Sequence, residues 1–450
     1  MPEEPPTAAA DSTARLQAWQ RRIVFILWIT YFGFYFCRKN ISAALKGIEL
    51  DLGIDNTQLG ILASCLAIAY GIGQFVNGQL GDRFGARRLV TIGMCGSVLM
   101  NIAFGFARTM NVMKVLWTAN GFFQSMGWAP ITKTLANWMP PSRRGRYSGI
   151  LGTSYQFGDA ATLWATGVLL AGLHWQWMFW VPSGFVALVA LHFALRVRNA
   201  PEEVGLATVE EQDAGETGAR EVEADEHLGF AYTLRRTVAN RHVWLVGMAF
   251  FCLDIIRWGF FFWSVKMLMD MQGDVATKAT LVKATIKAAI IPLGGSLGAI
   301  SAGWITDRCF GGRRAPVVCI MMLGLAAAAY LFGQLPRGDA LSVRLLLYAL
   351  LAIIGFLTYG PHVLMVGTMA MDFGTRKAAS AAAGFIDALG YAGVGVGMVA
   401  TGRIVDHYSA IGGDVAGWQA ALLFWCGAAI VSAVLMATLW RHKPAKGAYH

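Results

Sequence analysis

The amino-acid sequence predicts an all-α membrane protein in which twelve transmembrane helices form two pseudo-symmetric six-helix halves. Three observations lead to this fold class: an apolar composition, twelve hydrophobic runs and an internal repeat. Of the 450 residues, 56% are hydrophobic, 14% are charged and 52 are glycine. Soluble domains carry far more charge, so this composition is typical of a polytopic membrane protein.

Twelve hydrophobic runs are long enough to cross a bilayer, which requires about 20 helical residues. Short polar segments separate them, except for one long polar stretch after the sixth run. The runs lie at about 22–45, 57–80, 88–107, 113–138, 146–171, 175–197, 242–268, 279–305, 316–334, 344–371, 377–404 and 417–440.

A loop motif repeats at half the length of the chain. GQLGDRFGARR, residues 78–88, returns as GWITDRCFGGRR, residues 303–314, and its aspartates are 225 residues apart (307 − 82). Two homologous six-helix halves with a site at their midplane interface are the plan of secondary transporters, in which one half rocks against the other. We predict that Asp82, Arg83, Asp307 and Arg308 cap helix ends, form ion pairs between helices on the cytoplasmic side, and act in gating.

The polar segments divide the chain into five regions. Residues 1–21 are rich in proline, alanine and acidic residues and contain no apolar run, so they predict a disordered tail and not a signal peptide. The acidic, glycine-containing stretch after the sixth run is typical of a linker. The regions are a cytoplasmic tail at 1–21, an N-terminal half at 22–197, a cytoplasmic linker at 198–241, a C-terminal half at 242–441 and a second cytoplasmic tail at 442–450.

The formal net charge of +10 does not indicate a partner nucleic acid, because the basic residues cluster at the edges of the hydrophobic runs. The clusters mark every second loop and both ends of the chain, as the positive-inside rule requires of a protein in the lipid bilayer with both termini in the cytoplasm. Enzyme signatures for ATP binding or a nucleophilic serine are absent from the sequence, and its histidines and seven cysteines show no metal-ligand spacing.

The first run contains the stretch YFGFYFCRKN, residues 31–40, which places Arg38 and Lys39 inside a predicted spanning helix. A cation at the centre of a span costs about 2.5 to 3.5 kcal/mol on insertion scales, so an arginine there indicates a function. Tyr31, Tyr35 and Arg38 are spaced i, i+4 and i+7, so we expect them on one face of the helix.

The seventh run repeats this arrangement. Arg257 follows Arg241 by 16 residues (257 − 241), just as Arg38 follows Arg22 by 16 residues (38 − 22). At about 1.5 Å per residue, both arginines lie at the same depth if their helices enter from the same side. One such arginine is equally compatible with an end residue that snorkels to the interface, but two at matched depth favour a central anion site.

Further segments along the chain carry a family likeness: YFCRKN, AYGIGQF, FFQSMGWAP, IIRWG, FLTYGPHVLMVG, and AAAGF followed by LGYAG. With their order and spacing, the chain resembles the organophosphate:phosphate antiporter family of the major facilitator superfamily. The likeness extends from the first run to the last and is strongest to the bacterial glycerol-3-phosphate and hexose-phosphate transporters.

The resemblance implies the major facilitator fold and a monomeric antiporter of the bacterial inner membrane. It implies exchange of an organophosphate or organophosphonate for inorganic phosphate, without a cofactor, with Arg38 and Arg257 gripping the phosphate. Matching family positions imply further lining residues: Tyr31, Tyr35, Lys39, Tyr70, Gln124, Tyr359 and Tyr391. Some family members instead report an external sugar phosphate to a histidine kinase, so a membrane receptor is the alternative function.

Several positions depart from the pattern of the glycerol-3-phosphate transporter. Gln74 stands in place of a lysine, Tyr155 in place of a histidine and Asp254 in place of a tyrosine. Asp387 adds a second carboxylate one turn before Tyr391. We expect all four changed positions to line the site.

Carboxylates at membrane depth require a partner, and the sequence leaves three possibilities. The first is an internal ion pair, from Asp254 to Arg257 three residues later and from Asp387 to Lys287. The second is a proton carried during transport. The third is a cationic group on a zwitterionic substrate such as an aminoalkylphosphonate.

Overall fold

The computed structural model describes residues 6–169, 171–206, 237–272, 277–336, 340–369 and 379–441, and these residues are helical with no strand among them. Short 3₁₀ helices lie at Tyr35–Cys37 and Pro201–Val204, and short π-helices at Ala165–Leu169 and Leu364–Met369. The α-helices are α1 Pro6–Phe34, α2 Asn40–Leu52, α3 Asn56–Phe84, α4 Ala86–Phe106, α5 Met110–Gln124, α6 Trp128–Trp138, α7 Pro141–Trp164, α8 Trp177–Arg196, α9 Arg241–Gln272, α10 Lys278–Ala288, α11 Ile290–Phe310, α12 Arg314–Gly333, α13 Leu341–Val363 and α14 Ala379–Ala437.

These helices follow the twelve hydrophobic runs, so the predicted fold class is confirmed. Helix α14 covers the last two runs and turns at Gly413, whose φ of 78° lies outside the helical region. The first run is divided between α1 and α2, the fourth between α5 and α6, and the eighth between α10 and α11. A continuous helix over 22–45 is therefore a wrong prediction.

The boundaries at the N-terminus and in the linker also differ from the prediction. Helix α1 begins at Pro6, so residues 6–21 are helical and not a disordered tail. At the start of the predicted linker, a 3₁₀ helix occupies residues 201–204. Residues 207–236 lie outside the described part of the chain.

Eight described helical stretches are long and apolar enough to cross a membrane, and the last of them spans two runs. The first, fourth and fifth runs are not among these stretches. The first and fourth are interrupted by longer breaks than the single residue that divides the eighth, and the fifth is the most polar of the helices. These three runs belong to the N-terminal half and contribute several polar side chains to the site described below.

The two halves pack in a reciprocal manner. Helix α3, the second span of the first half, contacts α14 in the fifth span of the second half, while α7 contacts α10 and α11 in the corresponding opposite positions. Glycine permits the closest approach, because a Cβ atom at Gly60 would lie 2.3 Å from the Met398 carbonyl oxygen and one at Gly402 would lie 2.3 Å from the Asn56 carbonyl oxygen. This reciprocity is what a duplicated chain predicts.

One end of the helix bundle is where α2 ends and α3 begins. It lies opposite the end where α3 and α11 terminate and is here called the opposite end. Polar contacts join the two halves there. The Asp406 carboxylate of α14 accepts hydrogen bonds from the backbone and side chains of Asn56 and Thr57, at 2.5 to 3.1 Å. These donors include free N–H groups of the first turn of α3, so the carboxylate caps a helix of the other half.

A charge cluster joins the halves at the same end. Lys46 of α2 lies 2.8 Å from Asp270 of α9, and Lys266 of α9 lies 3.1 Å from Glu49 of α2. The indole of Trp418 also donates to Asp270, at 3.1 Å. Because Lys266 and Asp270 are buried, these contacts are screened less than surface ion pairs and hold the opposite end closed.

Candidate functional site

A break in the first span creates the site. The 3₁₀ turn after α1 leaves carbonyl groups without their helical donors, and side-chain amides from α4 and α5 supply the missing hydrogen bonds. Gln124 donates to the Phe34 carbonyl at 3.1 Å, while Asn101 and Asn120 donate to the Cys37 carbonyl at 3.1 and 2.9 Å. The break therefore has a stable geometry, and Arg38 follows it directly.

The Arg38 side chain is 5% exposed and is held on one edge only. Its Nε donates to the Gln124 side chain at 3.0 Å, and its guanidinium carbon lies 5.0 Å from the Tyr35 ring centre and 4.5 Å from that of Tyr70. Among the described residues, its buried Nη2 atom has no hydrogen-bond partner. A buried guanidinium with free donors is ready to receive an anion.

Arg257 lies on the unbroken helix α9 and is bound to its own helix. Its Nε donates to the Asp254 carboxylate at 2.6 Å, and its Nη2 makes a longer contact of 3.4 Å with the same group. Of the three possibilities that the sequence leaves for Asp254, the structure shows the internal ion pair. The Arg257 side chain is 13% exposed, while the Asp254 side chain is fully buried.

Lys39 bridges the two halves. Its ammonium group lies 3.5 Å from the Asp159 carboxylate of α7 and donates to the carbonyl of Phe261 on α9, whose ring centre is 4.0 Å away. Asp159 is a functional candidate that the sequence analysis missed. The signal was present, because Asp159 follows Tyr155 by one helical turn and is a carboxylate within a predicted span.

The predicted tyrosines form aromatic contacts around the two arginines. Ring centres are 6.0 Å apart for Tyr31 and Tyr35, 6.2 Å for Tyr35 and Tyr155, and 6.0 Å for Tyr155 and Tyr359. From the other side, Tyr70 of α3 lies 4.9 Å from Tyr391 of α14.

The two arginines converge on this aromatic set. The Tyr391 hydroxyl interacts electrostatically with the guanidinium groups of both Arg38 and Arg257. A small cavity nearby is lined by residues of both halves, among them Lys39, Asp159, Arg257 and Tyr359. The structure thus brings the binding residues predicted from the sequence to one region between the halves.

Asp387 does not form an ion pair with Lys287, which is one of the three possibilities that the sequence leaves. The Lys287 ammonium donates instead to Gln272 at 3.0 Å, and Lys283, one turn earlier, is exposed. The contact of Asp387 is with Gln74 of the other half, whose amide nitrogen lies 3.4 Å from the carboxylate. Lys287 does not reach Asp387 because it lies on the short helix α10, which ends two residues before α11 begins and directs this side chain to the end of α9.

The predicted gating residues lie away from the arginines, at the end of the bundle where α3 and α11 terminate, here called the basic end. Gly85 and Gly311 follow these helices with φ values of 77° and 58°, a conformation that favours glycine and ends each helix. Arg83, Asp307 and Arg308 are exposed, and none of the three forms an ion pair within the described residues. The Asp82 side chain lies outside the described part.

Described helices along all twelve hydrophobic runs, in two halves with one arginine from each half near their interface, define a multi-pass membrane protein of the transporter class. The sequence profile of the Major Facilitator Superfamily matches residues 27–398, which is most of the chain. The chain therefore belongs to the Major Facilitator Superfamily.

Curated relatives agree with this assignment. The chain is 29% identical to a probable hexose phosphate transport protein of Chlamydia trachomatis serovar D, over 94% of this chain and 91% of the relative. It is 29% identical to the glycerol-3-phosphate transporter of Bacillus subtilis strain 168 (96% and 94% covered) and 28% identical to the membrane sensor protein UhpC of Escherichia coli strain K12 (88% and 89% covered). These proteins are transporters and a sensor, not enzymes, and the resemblance to organophosphate:phosphate antiporters is confirmed.

A solved structure supports the fold alone. The bacterial homologue of the human lysosomal transporter Spinster, in its inward-facing and unoccupied conformation, superposes with a TM-score of 0.73 at 16% identity. The superposition covers 95% of this chain and 99% of that chain.

Proposed function

We propose that this protein exchanges an organophosphate or organophosphonate for inorganic phosphate across the bacterial inner membrane by alternating access. Relatives named as hexose phosphate and glycerol-3-phosphate transporters support the substrate class. In this proposal Arg38 and Arg257 bind the phosphoryl group, one from each half. The protein acts as a monomer with both termini in the cytoplasm.

The observation that carries the proposal is the buried Nη2 atom of Arg38, which has no hydrogen-bond partner among the described residues. A polar atom of a charged group that is buried without a partner is costly, and a phosphoryl oxygen would satisfy it with a charge-assisted hydrogen bond. Arginine suits this task because its planar fork binds two oxygens at once and keeps its charge when water is excluded.

The contacts between the halves suggest the direction of opening. The opposite end is closed by the Asp406 cap and the charge cluster of Lys46, Glu49, Lys266 and Asp270. At the basic end, Arg83, Asp307 and Arg308 are exposed. With the basic end in the cytoplasm, as the positive-inside rule expects, this conformation would load or release substrate on the cytoplasmic side.

Purified protein in proteoliposomes tests the proposal. Vesicles loaded with unlabelled phosphate should take up labelled phosphate, and external hexose phosphate or glycerol 3-phosphate should compete. Vesicles without internal phosphate should show little uptake, because exchange requires a counter-substrate. Equal uptake with and without internal phosphate would contradict exchange.

The similarity to UhpC supports a second candidate, a membrane receptor for an external sugar phosphate that acts with a histidine kinase. The same purified protein separates the two candidates. A receptor would bind an organophosphate at equilibrium, seen as a thermal shift, but would exchange no labelled phosphate. Binding together with exchange would favour the transporter.

A further inference from the structure

We propose that Asp387 binds the protonated amine of a zwitterionic substrate, so that the transported compound is an aminoalkyl phosphate or aminoalkylphosphonate. This inference rests on the proposed function, since it assumes that the two arginines hold the phosphoryl group. It adds a second binding element to that site and thereby a narrower substrate class.

The carboxylates of the site differ in their counter-ions. Asp254 is bound by Arg257 at 2.6 Å, and Asp159 is paired with Lys39 at 3.5 Å. Asp387 forms no ion pair within the described part of the chain. Of these three carboxylates, Asp387 is therefore the one that a cationic group of the substrate could pair with.

The neighbour that Asp387 does have is a neutral amide. Gln74 donates to it across 3.4 Å, a distance beyond the usual range for a strong N–H to oxygen hydrogen bond. Asp387 is only partly buried as a residue, and its neighbour Gln74 belongs to the other half. An ammonium group can therefore approach without displacing a protein cation.

The carboxylate also lies close to the phosphate-binding groups. It is one helical turn before Tyr391, whose ring centre is 4.9 Å from that of Tyr70 and 6.1 Å from that of Trp258. Tyr70 in turn stacks under the Arg38 guanidinium, and the charges that act on Asp387 are those of Asp254, first, and of Arg257. One small molecule with a phosphoryl group and an amine on a short carbon chain matches this pattern of charges.

Matched inhibitor pairs test the inference in proteoliposomes that exchange labelled phosphate. 2-Aminoethylphosphonate is compared with n-propylphosphonate, and phosphoethanolamine with propyl phosphate, because each pair exchanges an ammonium for a methyl group of similar size. In the wild type we expect the amine to inhibit at least about tenfold more strongly, which corresponds to about 1.4 kcal/mol.

Two variants remove the preference by different routes. Asp387→Asn removes the charge that attracts the amine. Gln74→Lys keeps Asp387 but places a protein ammonium beside it. Both variants should be inhibited equally by the amine and by the methyl compound of each pair. Asp414→Asn, at an exposed aspartate after the turn at Gly413, is the matched control and should keep the preference.

Two outcomes would overturn the inference. Equal inhibition within each pair in the wild type removes the amine subsite while leaving phosphate exchange intact. If Asp387→Asn abolishes the pH dependence of exchange but keeps the amine preference, the carboxylate carries a proton instead. If either Asp387→Asn or Gln74→Lys elutes as an aggregate in size-exclusion chromatography, the amine preference of the other variant tests the inference. Absence of any exchange in the wild type would instead refute the proposed function, and amine selectivity would then be read from ligand-induced thermal shifts.

Discussion

Arg38 and Arg257 occupy corresponding positions in the two halves but are held in different ways. Arg38 lies at a helix break, bonded to the neutral Gln124 and packed against two tyrosine rings. Arg257 lies within a continuous helix and forms an ion pair with Asp254. The N-terminal half therefore offers a guanidinium with its full charge, and the C-terminal half offers one that is already neutralised.

The difference teaches that a duplicated chain keeps the position of a functional residue more readily than its electrostatic state. An anion that binds Arg38 satisfies a group with an open donor. An anion that binds Arg257 must compete with a carboxylate on the same helix. We therefore expect Arg38 to contribute more to affinity and Arg257 to be more easily released when the halves move.

The largest effect on phosphate exchange is expected when the guanidinium group of either arginine is removed. Arg38→Lys and Arg257→Lys keep the positive charge but lose bidentate geometry, so phosphate exchange should fall by at least about 100-fold. The measurement is labelled-phosphate exchange in proteoliposomes with equal amounts of reconstituted protein. Retention of most of the wild-type exchange by either variant would show that the two arginines do not act as a clamp.

A second change makes the N-terminal arginine resemble the C-terminal one. Gln124→Glu gives Arg38 a carboxylate partner, and the affinity for phosphate should fall by about tenfold because the guanidinium is then neutralised. The half-saturating phosphate concentration in exchange measures this. Gln124→Glu and Gln124→Leu both lose the donor to the Phe34 carbonyl, so the difference between them reports the added charge, and Gln124→Leu should weaken binding less. Equal losses in both variants would mean that charge does not distinguish the two arginines.

The reverse change removes the partner of Arg257. Asp254→Asn leaves a mostly buried cation unpaired, so the protein should lose about 1 to 2 kcal/mol of stability, less than for a fully buried pair because Arg257 is partly exposed. Saturating phosphate should restore more stability than it adds to the wild type, since it replaces the lost counter-ion. Melting temperatures with and without phosphate measure this, with Asp414→Asn as the control. The same phosphate-induced shift in wild type and variant would contradict the expectation.

The smallest effect is expected far from both arginines. Asp82→Asn and Asp307→Asn should slow turnover by roughly threefold with little change in equilibrium binding, because these residues are expected to act on the conversion between states and not on the site. Exchange rates and phosphate-induced thermal shifts, measured on the same preparations, separate the two quantities. Weaker binding at unchanged turnover would place these residues in the site itself.

The contacts of this site that could be predicted from the sequence are those between residues close together in the chain. The pair Asp254–Arg257 follows from a spacing of i, i+3 on one helix, and the contact of Tyr31 with Tyr35 follows from a spacing of i, i+4. The break after Phe34 could not be predicted, because the amides that stabilise it come from later helices. The pair Lys39–Asp159 joins residues 120 positions apart (159 − 39), and only the packing of α7 brings them together.

The break in the first span also has a consequence for the order in which the chain can enter the bilayer during synthesis. Arg38 and Lys39 would each cost about 2.5 to 3.5 kcal/mol as isolated charges at the centre of a span, and the Phe34 and Cys37 carbonyls would lack donors in lipid. The compensating groups, Asn101, Asn120, Gln124 and Asp159, lie on the third, fourth and fifth spans, which are made later. The first span should therefore stay in contact with water or the insertion machinery until the fourth and fifth spans are available, and the N-terminal half should become resistant to protease as one unit.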